Sequence, residues 1–185
     1  MVKVIDGDTF FTASAKKIRL REVNTPEAEL CGSSQATKRL EQLILNKTVD
    51  IRDTIFDHYG REVGLVYVDK IFVNEVMLRE GLGRQESMGS SQTDLLKIAH
   101  QRAFDNKQGI YSPTCRAEKP DKPNCLIKGN TYPNGKNYYH FPSCDQYNQV
   151  IVEKDLGENW FCTEKEAQDA GYLKAPGCTN KTYKN

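Results

Sequence analysis

Polar and apolar positions alternate in several short runs near the start of the chain. KKIRLREV alternates basic and apolar side chains with Ile18, Leu20 and Val23 inward, which predicts a strand. TVDIRDTIF predicts another, and GLVYVDKIFV predicts a strand pair with a tight turn near Asp69-Lys70. VKVIDGDTFFTA reads as a strand interrupted by Asp-Gly-Asp, residue types that strands disfavour. Helical spacing takes over elsewhere. SSQATKRLEQLILN repeats Leu40, Leu43 and Ile44 on one face, with serines available to cap its start and Asn46 at its end. NEVMLREGLG predicts a short helix closed by glycine. TDLLKIAHQRAFDNKQG predicts the longest helix, with Leu95, Leu96, Ile98, Ala99 and Ala103 as its apolar face. Five short strands with helices after the third and at the end fit a mainly β, α+β fold: a small antiparallel five-stranded OB-fold barrel with three helices.

The pattern changes after Ser112. PTCRAEKPDKPN holds three prolines in twelve residues and mixed charge, which marks a linker. The domains expected are residues 1–114, a linker at 115–124, a small module at 125–178 and a tail at 179–185. The module is rich in aromatics and cysteines, and at this size it needs staples. Within it TEKEAQDAGY predicts a short helix capped by Thr163, with Glu166 three residues on and Gly171 at its end.

Composition narrows the class. The chain has 185 residues, 38% of them hydrophobic, and no apolar run of membrane-spanning length. MVKVIDGDTF lacks the apolar core of a signal peptide. Net charge is +1, so phosphate recognition must come from a few placed residues and not from a bulk basic excess. Cys31, Cys115, Cys125, Cys144, Cys162 and Cys178 make an even count, with four in the C-terminal module. That favours disulfides and an oxidising compartment, secreted or periplasmic, over free thiols or zinc.

The acids of the broken strand are the candidate chemistry. Asp6 and Asp8 lie two apart and share a strand face. Asp8, Asn24 and the Thr25 carbonyl are oxygen donors of the kind hard cations take, if their segments meet. Glu27 would then stand beside the ion as a general base. Arg19 and Arg61 supply guanidinium forks matched to phosphate oxygens. By themselves these residues fit equally well a solvated Asp-Gly turn, a first-turn acid and ordinary surface arginines, Arg61 pairing with Asp57 or Glu62.

DGDTF, IRLREVNTPE, DHYGREVGLVYVD, FVNEVMLREGLG and a last helix ending in NKQGIYS occur in order. Together, over about residues 2–112, they resemble the staphylococcal nuclease (thermonuclease) family. The resemblance implies an OB-barrel, Ca²⁺-dependent phosphodiesterase that cuts single-stranded DNA and RNA, both endo- and exonucleolytically, and leaves 3′-phosphates. It implies metal ligation by Asp8, Asn24 and Thr25, with Asp6 as a neighbouring acid that tunes the site. It implies Glu27 as general base, Arg19 and Arg61 as phosphate clamps, and Tyr59 as a phosphate contact. Asn24 stands where the family has a carboxylate, so weaker Ca²⁺ binding or another divalent cation is expected. RQESMGSSQ is shorter than the family's loop and lacks its two stacking tyrosines.

The C-terminal YHFPSC…NWFCTEKEAQDAGYLKAPGC resembles the small zinc module of the Ada DNA-repair protein, with one ligand missing. His140, Cys144 and Cys178 do not complete a zinc site. The resemblance implies that Cys144 and Cys178 lie within disulfide reach, leaving Cys125 with Cys162. A third bridge, Cys31 to Cys115, would tie the TPE loop to the end of the first domain. His140 is expected to be structural or at the surface, and Tyr132, Tyr138, Tyr139, Tyr147, Trp160, Phe161 and Tyr172 to form a compact core. A monomeric nuclease is the leading reading; a catalytically weak nucleic-acid-binding or interaction module and a DNA-repair factor are the alternatives.

Overall fold

Where apolar side chains alternate, each short strand turns one face to a shared core. The computed structural model describes residues 3–132 and 135–183, and the chain divides into two units, Met1–Ser112 and Pro113–Asn185. In the first unit the elements are β1 (Lys3–Val4), β2 (Thr9–Phe11), β3 (Lys17–Leu20), β4 (Val23–Asn24), α1 (Ser33–Ile44), β5 (Asp50–Phe56), β6 (Glu62–Val68), β7 (Ile71–Phe72), α2 (Val73–Arg79), β8 (Arg84–Gln85) and α3 (Thr93–Asp105). The main sheet runs β1-β2-β3-β6-β5, with β7 also on β6. Phe10, Ile18, Leu20, Leu65 and Val66 of the sheet are buried with Leu40 and Ile44 of α1, Met77 and Leu78 of α2, and Leu96 of α3. Among the described residues no ladder joins β5 back to β1. The sheet is not purely antiparallel as expected, because β3 runs parallel to β6.

KKIRLREV is two strands and not one. Glu22 has φ of 60° and ends β3 in a turn, and β4 then pairs with β8. The turn is held because the buried Glu22 carboxylate accepts from Gln85 Nε2 at 2.8 Å and Thr93 Oγ1 at 2.7 Å. The serines do not cap α1; Gly32 occupies that position with φ of 92° and no side-chain bond. On α3 only Leu96, Ala99 and Ala103 are buried, while Leu95 and Ile98 are 44% and 50% exposed. The helix packs on one side, against α2, so the buried stripe is narrower than the apolar pattern. Past its end, Gly109 lies so close to Gly81 that a Cβ there would sit 2.1 Å from the Gly81 carbonyl oxygen. That oxygen accepts the Ile110 N–H at 2.8 Å, and only glycine permits the approach.

The second unit contains β9 (Arg116–Ala117), β10 (Ile127–Thr131), β11 (Asn137–His140), β12 (Val152–Glu153), β13 (Asn159–Phe161), α4 (Glu164–Asp169) and β14 (Leu173–Lys174). Four strands form a sheet in the order β13-β10-β11-β14 and β12 pairs with β9. Cys125 is bonded to Cys162 and Cys144 to Cys178; Cys31 and Cys115 are also disulfide-bonded, and no described cysteine is free. Neither Cys144 nor Cys178 therefore offers a thiolate to a metal. Tyr139, Phe141 and Tyr172 are in the core, with Tyr138, Tyr147 and Phe161 against it. Tyr132 departs from the expected core: it is 39% exposed and meets Tyr138 edge-on. Thr163 caps α4 by accepting the Glu166 N–H at 3.1 Å. Buried Glu158 accepts from Asn130 Nδ2 and from the Thr131 and Glu153 N–H groups, joining β10 to β12. No described helix is long and apolar enough to cross a membrane.

One buried amide fastens the first unit's sheet to α2. Asn74 Oδ1 accepts the Val66 N–H at 2.8 Å, and its Nδ2 donates to the Arg21 carbonyl at 2.8 Å and to that of Gly64 at 3.3 Å. Asn74→Ala takes this buried partner from the Val66 N–H and the Arg21 carbonyl, while the Gly64 carbonyl keeps the Arg21 N–H at 2.9 Å, and urea unfolding is expected to show a loss of about 3 kcal/mol.

Candidate active site

The break in the first strand aims a carboxylate inward. A Cβ on Gly7 would lie 2.6 Å from Cβ of Ala36 on α1 and 2.7 Å from Thr25 Oγ1, so glycine lets the turn press against both. Asp6 Oδ1 accepts the Asp8 N–H at 3.1 Å, and Asp8 is buried behind it. Asp8 Oδ2 accepts the Thr25 N–H at 3.0 Å and its hydroxyl at 3.2 Å. Asp8 Oδ1 accepts from Thr9 Oγ1 at 2.8 Å and Arg19 Nη1 at 2.6 Å.

Arg19 is reached because β2 and β3 pair with Thr9 opposite Arg19. Its other nitrogen, Nη2, donates to Asn24 Oδ1 at 2.8 Å. Two segments distant in sequence thus direct oxygens at one guanidinium. Burial pushes the Asp8 carboxyl up from 3.8 to about 6; the Arg19 charge and the Thr25 N–H pull the other way, and Asp6 adds to the rise. Removal from water outweighs the ion pair here.

Arg61 and Tyr59 lie on the turn between β5 and β6. Arg61 precedes β6 by one residue, and Val63, two further on, is in register with Arg19. Arg61 Nε donates to Asp57 Oδ2 at 2.7 Å, and its guanidinium lies 5.2 Å from the centre of the Tyr59 ring. Burial opposes ionisation of Asp57, but the Arg61 and Tyr59 N–H groups and the guanidinium hold it below the usual carboxylate range. Tyr59 is 73% exposed. Glu27 is exposed and opens a turn through the Leu30 N–H, which bonds to its carbonyl at 3.1 Å. Asp6, Asp8, Arg19, Asn24 and Thr25 are therefore gathered, whereas no bond among the described residues joins Glu27, Tyr59 or Arg61 to them.

The gathered oxygens suit a hard cation: a carboxylate and an amide oxygen already converge on one positive group, with the Thr25 main chain beside them. Among the described residues no three His, Cys, Asp or Glu side chains form a metal-binding group, so any ion here draws on neutral oxygens too. Sequence reasoning missed Glu86, whose Oε2 stands 3.9 Å from Arg19 Nη2. No motif marks it; the pairing of β8 with β4 brings it in.

The family model described as staphylococcal nuclease homologue matches residues 17–113. This chain belongs to the staphylococcal nuclease family. It is 30% identical over 116 residues to an uncharacterized endonuclease of Escherichia coli O157:H7, covering 60% of this chain and 75% of that one. It is 25% identical over 135 residues to a micrococcal nuclease of Shigella flexneri, covering 66% and 77%. It is 30% identical over 111 residues to a probable staphylococcal-like nuclease of Oryza sativa subsp. japonica, covering 60% of this chain but 32% of the rice protein. Membership of a nuclease family supports hydrolysis of nucleic acid.

The shift of Asp8 carries a pH prediction. Unfolded, the group ionises near 3.8; folded, it keeps its proton to about 6. Stability is therefore lost as pH rises through that window and is not regained above it. In chelator, the stability of Asp8→Asn relative to the native chain is expected to rise by about 2 kcal/mol between pH 4 and pH 7. Urea midpoints at both pH values check this, and a gap independent of pH would contradict it.

Proposed function

We propose that this protein is a divalent-cation-dependent, Ca²⁺-using nuclease that hydrolyses phosphodiester bonds of single-stranded DNA and RNA and leaves 3′-phosphates. The convergence of Asp8 Oδ1 and Asn24 Oδ1 on one cationic group carries the reading. Asp8, Asn24 and the Thr25 carbonyl would hold the ion, with Asp6 fixing the Asp8 main chain. A bound divalent cation supplies charge that polarises the phosphate. Glu27, exposed and without a side-chain bond among the described residues, takes a proton from the attacking water on its carboxylate. As that water attacks phosphorus, Arg19 and Arg61 hold the equatorial oxygens and stabilise the added charge while the 5′-oxygen departs. Tyr59, exposed beside Arg61, contacts a neighbouring phosphate. Before substrate enters, Asp8 and Asp57 hold the two guanidiniums, so both must be drawn partly away from these partners.

The same reading takes residues 1–114 as the five-stranded OB-barrel domain, 115–124 as linker and 179–185 as tail. Residues 125–178 would be a relative of the Ada-type module in which a disulfide stands where two metal ligands would be. The oxidised cysteines support a secreted or periplasmic setting, and a monomer is the expected state. A second reading, a catalytically weak binding module, is favoured by one observation: Asn24 brings no charge to the site.

Cleavage of single-stranded DNA and of RNA, in millimolar Ca²⁺ or in chelator, separates the two. Ca²⁺-dependent cleavage reduced about 10²–10⁴-fold in Glu27→Gln is expected. Binding without cleavage in any divalent cation would establish the second reading instead.

A further inference from the structure

A carboxylate beside a phosphate-clamping arginine works against an anionic substrate. Glu86 is such a group. Its place is set by the backbone: β4 and β8 pair with Val23 opposite Gln85 and Asn24 opposite Arg84, and the Glu86 N–H bonds to the Glu22 carbonyl at 3.3 Å. The side chain reaches the same Arg19 nitrogen that donates to Asn24 Oδ1. At 3.9 Å this is an ion pair without a hydrogen bond, and the side chain is 39% exposed. No other partner holds its carboxylate among the described residues, so it can turn toward an incoming ion.

We propose that Glu86 supplies the second carboxylate of the cation site, restoring the negative charge that Asn24 lacks. The inference rests on the reading of Asp8 and Asn24 as cation ligands. Affinity for hard divalent ions follows the charge and number of oxygen ligands. Asp8 alone brings one negative charge; with Glu86 the site brings two, the second drawn from the residue after β8 and not from the end of β4. The ion would also neutralise Glu86 when substrate phosphate meets Arg19, which removes the repulsion noted above.

The test is Ca²⁺ binding to the metal-free full chain, without substrate, followed by titration calorimetry. The native chain is compared with Glu86→Gln, Asn24→Asp/Glu86→Gln and Asp8→Asn, each checked for folding by circular dichroism. About tenfold weaker binding is expected in Glu86→Gln, with recovery to about the native affinity in the double variant, where the charge returns to position 24. Native affinity in Glu86→Gln, with binding abolished in Asp8→Asn, would overturn the role of Glu86 and leave the cation site standing. Absence of Ca²⁺ binding by the native chain, or binding unchanged in Asp8→Asn, would overturn the cation site itself and this inference with it.

Discussion

The buried Asp8 carboxylate is the constraint around which the first unit is arranged. A carboxylate taken out of water needs every lone pair met, and here Thr9, Thr25 and Arg19 meet them. Those partners come from β2, from the segment after β4 and from β3. Satisfying one side chain therefore fixes the break in the first strand, the pairing of β2 with β3 and the position of the loop after Asn24. The residual cost appears as the raised pKa of the group. A positive charge brought to this carboxylate would relieve the penalty of its burial.

The loop after β8 is held by a second set of polar bonds. Asp53 lies in the irregular part of β5, with φ of 48°. Its carboxylate accepts from Arg21 Nη1 at 2.9 Å and from the Ser91 N–H at 2.8 Å, while Arg21 Nη2 donates to the Gly89 carbonyl. The segment that follows Glu86 is thus tied to β5 by charge-assisted bonds. The short RQESMGSSQ loop has no aromatic platform of its own; its order comes from this anchoring and from the Glu22 bonds to Gln85 and Thr93.

The second unit is stabilised differently. A module of this size buries too little apolar surface to stand on its core alone. Two disulfides, the fully bonded Glu158 and the Lys128 ammonium bring its strands together. Lys128 donates to the Tyr147 and Val150 carbonyls at 2.9 and 2.7 Å and lies 4.2 Å from the Tyr147 ring centre. Burial lowers the pKa of that ammonium, yet its bonds hold the segment before β12 against the sheet. His140 is buried in the same unit, with neither ring nitrogen bonded among the described residues; burial, then the Lys128 charge, holds it below the usual imidazole range.

Local signals were sufficient for the strands whose apolar alternation faces the core, for α1, α2 and α3, and for the Thr163 cap, because spacing and capping act over a few residues. The same locality explains the errors. KKIRLREV reads as one strand because nothing in it reveals Glu22, whose partners lie 63 and 71 residues away. Leu95 and Ile98 read as core because a helix's apolar face says nothing of how much of it a neighbour covers. Asp8, Arg19, Asn24 and Thr25 could be named from order and motif, but only the β2–β3 register brings Arg19 to Asp8. Glu86 was beyond sequence reasoning altogether. A single acid in a polar loop carries no periodicity and no motif, and its place beside Arg19 follows from the pairing of two-residue strands, which only the folded chain decides.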